Sequence, residues 1–478
     1  MSIRSFGKLY IGGTWVEPAT GNKIEVVSPI DNTVVATVPE ASEADIDRAV
    51  AAARKAFDEG PWPRMSAAER GEYLARVRDE VIKRTPEMRE AFTLEIGAPA
   101  AVSEAFHENA RKMWEDASTM HERITLEEDR SWEGDGHGRL VREPVGVAAL
   151  IIPWNGPVAT ASLKMGPALA AGCTVVFKPA PEGPVSVMIL AEAIEAAGLP
   201  DGVVNVVPAG REGGQYLVDH KDVDKVSFTG STAAGRKIMA SVADRIGRVS
   251  LELGGKSAAI ITEDVPLEEV LPTLVFGGLA NTGQVCAALT RVVVPRSRQD
   301  EIVTAMTEAY KAVTVGDPRT EGVALGPLAS QRQQQRVLDY IKVGTDEGAR
   351  LVIGGGVPEG LEGGAYVEPT IFADVKADMR IAQEEIFGPV ICVIPYDTID
   401  EAVDIANGTE YGLSGAVYAK DRASGEAIAR RIRTGQIGVN TWGMCVTQPF
   451  GGYKQSGLGR EGNVEGLGAF LETKLIMY

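Results

Sequence analysis

Four short apolar runs decide the fold of this chain: VAALII at 147–152, TVVF at 174–177, VVNVV at 203–207 and KVSF at 225–228. The segments between and after them have helical character, at about 158–171, 183–197, 212–220 and 231–244. Continuous apolar runs that alternate with helices are typical of strands buried on both faces, and such strands form parallel sheets. The pattern therefore predicts an α/β domain.

The sequence on either side extends this prediction. Upstream, residues 42–123 are helical in character, and capping boxes at Ser42 and Ser66 mark two helix starts. Downstream, the alternation of strands and helices resumes at Ser257 and continues to about residue 435, after the glycine-rich break LGGK at 253–256. We expect two Rossmann-like α/β domains joined near residue 255.

Two segments lie outside the alternation. Residues 125–139 are polar and rich in glycine, which predicts an exposed excursion or hairpin. The tail after Gly462 ends in TKLIMY, which predicts a strand. An exposed apolar strand needs to be covered, so we expect the tail to pair with a partner subunit in a homodimer or homotetramer.

Composition excludes several classes of protein. The formal net charge is −18, which argues against a nucleic-acid binder and against an anionic membrane surface. No window has the roughly 18 apolar residues of a membrane helix, and the N-terminus lacks the apolar core of a signal peptide. The four cysteines contain no C-x-x-C pair and the four histidines are scattered, so we expect no metal site and no disulfides. A cytoplasmic protein is predicted.

Reactive or polar groups occur near the ends of predicted strands, where open α/β sheets bind their ligands. Cys286 follows the small polar stretch NTGQ at 281–284, which favours an accessible thiol, although a single cysteine is more often an inert core residue. Glu252 lies near the end of an apolar strand and must be either paired or functional, since burying an unpaired carboxylate is costly. An ion pair with Lys256 is the structural alternative.

Three further groups have similar positions. The amide of Asn155 can donate to an oxyanion or cap a turn. Lys178 suits a ribose hydroxyl or a phosphate, or is a solvated charge at a strand end. Residues 228–235, FTGSTAAG, lead from a strand into a helix, where small residues let a pyrophosphate approach the helix N-terminus. A G-x-G-x-x-G fingerprint is absent from the first strand–helix turn, so this signal is weak alone.

Together with three more motifs, these segments resemble the aldehyde dehydrogenase superfamily over essentially the whole chain. The further motifs are YIGGTW at 10–15, EEIFGP at 384–389 and PFGGYKQSG at 449–457, and the order of all the motifs matches the family. The resemblance implies an NAD(P)-binding domain (1–122 and 142–254), a catalytic domain (255–445), a small β oligomerisation element (123–141 and 463–478), and a segment that returns to the cofactor domain (446–462).

The resemblance also implies oxidation of an aldehyde to the carboxylic acid, in the hydrolytic branch of the family. Cys286 matches the nucleophile that forms a thiohemiacetal and then a thioester. Asn155 matches the oxyanion donor, and Glu252 matches the base that activates water. Lys164 and Glu461 match a proton relay from that base.

Further matches concern ligand binding. Those for the cofactor are Ile152 and Trp154 on the adenine and ribose side, Lys178 at the ribose hydroxyls, Gly230 and Ser231 at the pyrophosphate, Glu385 at the nicotinamide ribose, and Phe387 beside the ring. Those for the substrate pocket are Gly156, Thr160, Leu163, Trp442, Met444 and Phe450. We expect a roomy, mostly apolar pocket for a medium-chain or aromatic aldehyde.

One position departs from the family pattern. Many NAD-preferring relatives have a glutamate three residues after the lysine, and here that residue is Pro181. NAD is still expected, with NADP possible, since no Arg or Lys is added beside Lys178. The alternatives are a coenzyme A-acylating enzyme, against which Glu252 argues, and a non-catalytic family member, against which the retention of all three catalytic groups argues.

Overall fold

The structure, a computed structural model, describes residues 3–478. Its helices are α1 (Glu43–Asp58), α2 (Ala67–Ile96), α3 (Ala100–Thr119), α4 (Pro157–Ala171), α5 (Val185–Ala196), α6 (Arg211–Asp219), α7 (Thr232–Asp244), α8 (Leu267–Leu279), α9 (Gln299–Lys311), α10 (Gln331–Asp346), α11 (Arg380–Gln383), α12 (Ile399–Asn407), α13 (Arg422–Ala429) and α14 (Asn463–Gly468). Within residues 3–478, no helix is long and apolar enough to cross a membrane.

The four apolar runs form the centre of an eight-stranded sheet. In spatial order its strands are β19 (Gly457–Leu458), β11 (Arg248–Glu252), β10 (Lys225–Thr229), β7 (Val147–Ile151), β8 (Thr174–Lys178), β9 (Val204–Val206), β1 (Leu9–Ile11) and β2 (Thr14–Val16). The five strands from β11 to β9 are parallel, as predicted, and the outer strands are antiparallel. The predicted helices between them are confirmed as α4 to α7 to within two residues.

The second large sheet has seven strands. In spatial order they are β14 (Arg350–Ile353), β15 (Thr370–Ala373), β16 (Val390–Tyr396), β13 (Arg291–Pro295), β12 (Ala258–Ile261), β17 (Gly415–Tyr418) and β18 (Gly438–Val439). All neighbours are parallel except β14 and β15. Each large sheet has a separate apolar cluster on each face, which confirms the doubly covered α/β fold.

Two small antiparallel sheets complete the chain. The predicted hairpin and tail strand are confirmed, and they pair within the chain as one sheet that was not predicted, with order β20 (Leu471–Met477), β6 (His137–Pro144) and β5 (Glu127–Ser131). Strands β3 (Lys23–Val27) and β4 (Val34–Pro39) form the other. These and the β1–β2 hairpin lie in a region where the sequence pattern made no strand prediction. The turn of that hairpin needs two left-handed residues, Gly12 and Gly13.

Candidate active site

A cavity of 380 Å³ lies at the carboxyl ends of the strands of the eight-stranded sheet. One wall consists of the loops that follow β7, β10 and β11, and the other contains Cys286 and residues near the C-terminal side of α11. The cavity brings together seven of the predicted site residues: Trp154, Asn155, Gly230, Ser231, Cys286, Glu385 and Phe387. Carboxyl ends of parallel strands converge on one edge, which is why residues far apart in sequence meet here.

A strained turn precedes Cys286. Asn281, Thr282 and Gly283 all have positive φ, at 51°, 57° and 72°. A side chain at position 283 would be about 2.2 Å from the carbonyl oxygen of Gly388, so the close approach requires glycine. The Gln284 side chain holds the turn, because it donates to the Asn281 carbonyl (3.1 Å) and accepts from the Ala329 amide (2.9 Å). Such strain is typical of functional sites.

Asn155 is bonded to this turn in both directions. Its side-chain amide donates to the carbonyl of Gln284 at 2.9 Å, and its own carbonyl accepts from the side chain of Asn281 at 3.0 Å. The turn-cap alternative is therefore wrong, because this amide contacts the segment that carries Cys286. The bonds fix the distance between the Asn155 amide and the thiol-bearing loop.

The surroundings of the Cys286 thiol favour its protonated form. Burial raises its pKa to about 12, and the negative charges of Glu385 and Glu252 act in the same direction. A thiol is a weak nucleophile until it loses its proton. Cys286 therefore becomes reactive only when its thiol has lost its proton.

Glu252 is buried without a partner. It is 3% exposed, and neither of its carboxylate oxygens has a hydrogen-bond partner among residues 3–478. Burial raises its pKa well above the usual range, the charge of Glu461 raises it further, and Lys164 opposes them. The suggested ion pair with Lys256 is wrong, since the Lys256 ammonium is itself buried and has no hydrogen-bond partner in the described chain. Such an unpaired buried carboxyl group is costly to maintain and is typical of a functional site.

A glycine makes room for this carboxylate. A Cβ at Gly451 would be 2.5 Å from Oε1 of Glu252, and Gly451 also has a positive φ of 152°. Its motif, PFGGYKQSG, thus contributes to the site through its backbone. A larger residue at 451 would displace Glu252.

Lys164 and Glu461 form a buried ion pair close to Glu252. The Lys164 ammonium bonds to the Glu461 carboxylate and donates to the hydroxyl of Ser227 at 3.0 Å. The Ser227 hydroxyl donates to the same carboxylate at 3.1 Å. A buried ion pair is stable only when further hydrogen bonds satisfy its members, and Ser227 on β10 provides them. The sequence pattern did not identify Ser227.

Glu385 and Phe387 close the cavity on the other side. Glu385 accepts from the amide of Gly255 at 3.1 Å, and a Cβ at Gly254 would be 2.5 Å from its carboxylate. Phe387 has a positive φ of 64°, and its carbonyl accepts from the side chain of Gln333 at 2.8 Å. The Trp154 ring meets Phe387 edge-on, with 5.4 Å between centroids.

A second cavity of 460 Å³ lies beside Lys178. Burial lowers the pKa of Lys178 to about 8, which the carboxylates of Glu182 and Glu40 oppose. Ser231 lines both cavities and caps α7, accepting from the amide of Ala234 at 3.3 Å. A dinucleotide fits this arrangement, with its pyrophosphate at the N-terminus of α7 between a lysine-lined cavity and the one that contains Cys286.

The structure places three features of the cofactor side. The Ile152 side chain is packed in the core, and its neighbour Ile151 lines the second cavity. Trp154 lies with Phe387 in the first cavity. Basic groups are present near Lys178 after all, since Arg211 and Lys237 line the same cavity. They come from α6 and α7, so the local sequence around Lys178 gave no signal of them.

Contacts with neighbouring residues locate the predicted substrate residues. Gly156 faces Phe106, and a Cβ at position 156 would be 2.6 Å from the Phe106 ring. The Thr160 side chain is the next neighbour of that Cβ. Leu163 packs with Met444. The Trp442 indole donates to the carbonyl of Ala287 at 3.3 Å.

Phe450 is buried, and its backbone pairs with Glu461. Phe106 was not predicted, because the only sign of its role is that its ring lies against Gly156, the residue before α4.

Comparison with known proteins agrees with this geometry. Residues 15–476 match the profile of the aldehyde dehydrogenase family. The structure superposes on a Mycobacterium tuberculosis aldehyde dehydrogenase complexed with NAD+ with a TM-score of 0.98, at 45% identity over 100% of this chain and 99% of that one. Aldehyde dehydrogenase C of Pseudomonas syringae, solved with NAD+ and octanal, gives 0.94 at 42% identity over 98% and 96%. Geranial dehydrogenase of Castellaniella defragrans is 42% identical over 472 residues, 98% of each chain.

The chain belongs to the aldehyde dehydrogenase family. It is an NAD-dependent enzyme that oxidises an aldehyde to the carboxylic acid.

Proposed function

We propose that the reaction runs through covalent intermediates on Cys286 and ends in hydrolysis. The Cys286 thiol first releases its proton to solvent, and the thiolate sulfur then attacks the aldehyde carbon and forms a thiohemiacetal. The oxyanion accepts hydrogen bonds from the Asn155 side chain and the Cys286 backbone amide, and losing one such donor typically costs about 10²–10³ in rate. When bound, NAD+ supplies the nicotinamide that accepts the hydride.

The second half of the reaction is assigned to Glu252. Its carboxylate takes a proton from a water molecule, and the resulting hydroxide attacks the carbonyl carbon of the Cys286 thioester. The carbon–sulfur bond breaks, the acid leaves and the sulfur returns as a thiolate. Lys164 and Glu461, bonded to each other and to Ser227, then move the proton away from Glu252.

The environment of Glu252 carries this proposal. A buried carboxyl group with no hydrogen-bond partner in the described residues, coupled electrostatically to the thiol, suits a base that acts on water. The acylating branch uses coenzyme A in place of water and has no need of such a base. We therefore propose that NADH forms without coenzyme A.

The remaining matched residues are assigned to the cofactor. We propose that Lys178 binds the adenosine ribose, Gly230 and Ser231 the pyrophosphate, and Glu385 the nicotinamide ribose, with Phe387 beside the ring. Ser231 lines both cavities, and this shared residue supports the assignment.

The domain boundaries given above are proposed on the same grounds, with the eight-stranded sheet as the centre of the cofactor domain. We propose a homodimer or homotetramer held in part by β20. The cytoplasm is the proposed compartment, since the four cysteines are free thiols and a reducing environment preserves them.

The substrate is proposed to be an apolar aldehyde of medium chain length or an aromatic one. Two apolar clusters support this class, one with Leu163 and Met444 and the other with Phe106 and Trp442. The octanal bound by the Pseudomonas syringae enzyme and the geranial of the Castellaniella enzyme's name are both apolar aldehydes.

The experiment that tests the mechanism uses Glu252→Gln with hexanal and NAD+ in the absence of coenzyme A. We expect one equivalent of NADH in a burst, followed by arrest, with the mass of the acyl group on Cys286. The matched control is Glu359→Gln, an exposed glutamate, which should turn over like the wild type. Steady turnover of Glu252→Gln would remove Glu252 as the base, and a requirement for coenzyme A in the wild type would contradict the hydrolytic reaction.

A further inference from the structure

A small cavity of 10 Å³ lies in the seven-stranded sheet, separate from the cavity that contains Cys286. It is at the amino ends of three neighbouring parallel strands, β12, β13 and β17. The first residues of these strands, Ala258, Arg291 and Gly415, line it. A cavity of this size holds a single group of about the size of a water molecule.

Two buried polar side chains at this cavity have no hydrogen-bond partner. Lys256 is 2% exposed and Thr434 is 9% exposed, and both line the cavity. Neither Nζ of Lys256 nor Oγ1 of Thr434 has a hydrogen-bond partner among residues 3–478. Leaving a buried polar group unsatisfied is costly, and more so when the group is charged. Both groups are hydrogen-bond donors, so the cavity suits a ligand that accepts hydrogen bonds.

The charges around the cavity are positive. Lys256, Arg291 and Arg433 line it, and within the described part of the chain no aspartate or glutamate does. The buried guanidinium of Arg291 is already satisfied, because it donates to three backbone carbonyls at 2.8, 2.6 and 2.8 Å, two of them near the C-terminal end of α12. Lys256 is thus the buried cation of this set that still lacks an acceptor.

The charge of Lys256 has no counter-charge in contact with it. Burial lowers the pKa of its ammonium group to about 8, Cys392, Glu385 and Glu384 oppose this shift, and Arg291 adds to it. None of these acids bonds to the ammonium within residues 3–478. A water molecule in the cavity satisfies hydrogen bonds but leaves the charge uncompensated, whereas an anion does both.

We propose that this cavity binds one monovalent anion of the size of chloride, held by the Lys256 ammonium and the Thr434 hydroxyl. The ion connects two distant segments, because Lys256 follows Gly255, whose amide donates to Glu385, and Thr434 precedes β18. A ligand that binds only the folded chain stabilises it. The size of the cavity excludes carboxylates, phosphate and other polyatomic anions.

Thermal unfolding of the full chain tests this binding. The wild type is compared in sodium chloride and in sodium gluconate at equal ionic strength, since gluconate is too large for the cavity. Chloride at about 0.3 M should raise Tm by about 1–3 °C relative to gluconate. Lys256→Met should abolish the difference between the two salts, and Thr434→Val should reduce it.

Two comparisons separate loss of the ion from loss of the fold. Lys221→Met is the matched control, since it also removes one positive charge, from an exposed lysine that does not line the cavity. Its Tm should respond to chloride as that of the wild type does. In gluconate, Lys256→Met should be at least as stable as the wild type, because the variant no longer buries an uncompensated charge.

Bromide shows where the ion binds. Crystals soaked in sodium bromide should give an anomalous peak in contact with Nζ of Lys256 and Oγ1 of Thr434, and crystals of Lys256→Met should lack this peak. Three results would overturn the inference. One is a water molecule without a bromide peak at this position, and another is an equal chloride response in the wild type and Lys256→Met. The third is a bromide peak with equal Tm in both salts, which would mean an adventitious ion only.

Discussion

At the scale of single residues, the site contains two acidic groups, the Cys286 thiol and the Glu252 carboxyl group. The raised pKa of each group favours its protonated, unreactive form. Burial raises the pKa of the Cys286 thiol to about 12 and that of the Glu252 carboxyl well above its usual range. The reaction needs Glu252 ionised, so activity should increase as pH rises through its raised pKa. The charges of Glu461 and Lys164 set the position of that rise.

We therefore predict opposite pH shifts for two substitutions. Glu461→Gln removes a negative charge that raises the pKa of Glu252, so the acid limb of kcat should move to lower pH. Lys164→Met removes the opposing positive charge, so the limb should move to higher pH. The measurement is the pH profile of kcat with hexanal, and shifts in the same direction would contradict this account of the pair.

Cys286→Ala should separate chemistry from binding. Without the sulfur no covalent intermediate forms, and we expect kcat to fall by at least about 10⁴. The cavity beside Lys178 is not lined by Cys286, so the Kd for NAD+, measured by fluorescence titration, should stay within about twofold. Loss of NAD+ binding together with activity would indicate a structural role for the thiol.

Pro181→Glu tests the choice of cofactor. The wild type has Arg211 and Lys237 in the cavity beside Lys178 and no carboxylate at 181, so it should accept NADP as well as NAD. A carboxylate at 181 would repel the 2′-phosphate, and we expect kcat/KM with NADP to fall about tenfold or more while that with NAD is retained. An unchanged NADP to NAD ratio would show that residue 181 does not face the ribose.

At the scale of secondary structure elements, the start of α5 depends on a side chain from α2. Glu95 is fully buried and accepts from the amides of Val185 (2.9 Å) and Ser186 (3.2 Å), while the residue before α5 provides no side-chain cap. Burial raises the pKa of Glu95 to about 7. Between the unfolded pKa and about pH 7, the folded protein therefore keeps a proton at Glu95 that the unfolded chain has released.

The sign of the resulting pH dependence follows from linkage. Because folding raises the pKa of Glu95, this residue stabilises the fold at pH values below its unfolded pKa of roughly 4.3. Its contribution to the free energy of unfolding, on the order of 3 kcal/mol, is lost as pH rises through about 7. In Glu95→Gln this dependence should disappear. Denaturant unfolding at pH 5 and pH 8 measures it, and an equal change in wild type and variant would contradict the assignment to Glu95.

At the scale of the whole molecule, the three-stranded sheet leaves one edge of β20 unpaired within the described residues. Its side chains Leu475, Ile476 and Met477 are exposed, the last by 70%. An open apolar edge of this kind is a template for another chain. It supports the proposed assembly into dimers or tetramers.

The double variant Leu475→Lys with Met477→Lys should break this contact. Light scattering at micromolar concentration should give a multiple of the monomer mass for the wild type and a smaller particle for the variant. Lys342→Glu, an exposed change on α10, is the control and should leave the mass unchanged. A wild type that is already monomeric would refute the proposed assembly.

The sequence by itself determined the central parallel strands of the eight-stranded sheet, the helices between them, and the family. Strands β7, β8 and β10 and helices α4 to α7 were predictable because their signals, apolar runs and helical periodicity, are local. Cys286, Asn155 and Glu252 were identifiable because each lies in a motif of several residues whose order matches a known family.

Only the tertiary structure decided how these groups act on one another. Asn155 meets the carbonyl of Gln284 across 129 residues, and Lys164 meets Glu461 across 297. The absence of a partner for Glu252 within residues 3–478, the position of Phe106 over Gly156, and the basic residues beside Lys178 are likewise contacts between distant elements. Sheet register and helix packing set such contacts, and no local pattern in the chain encodes them.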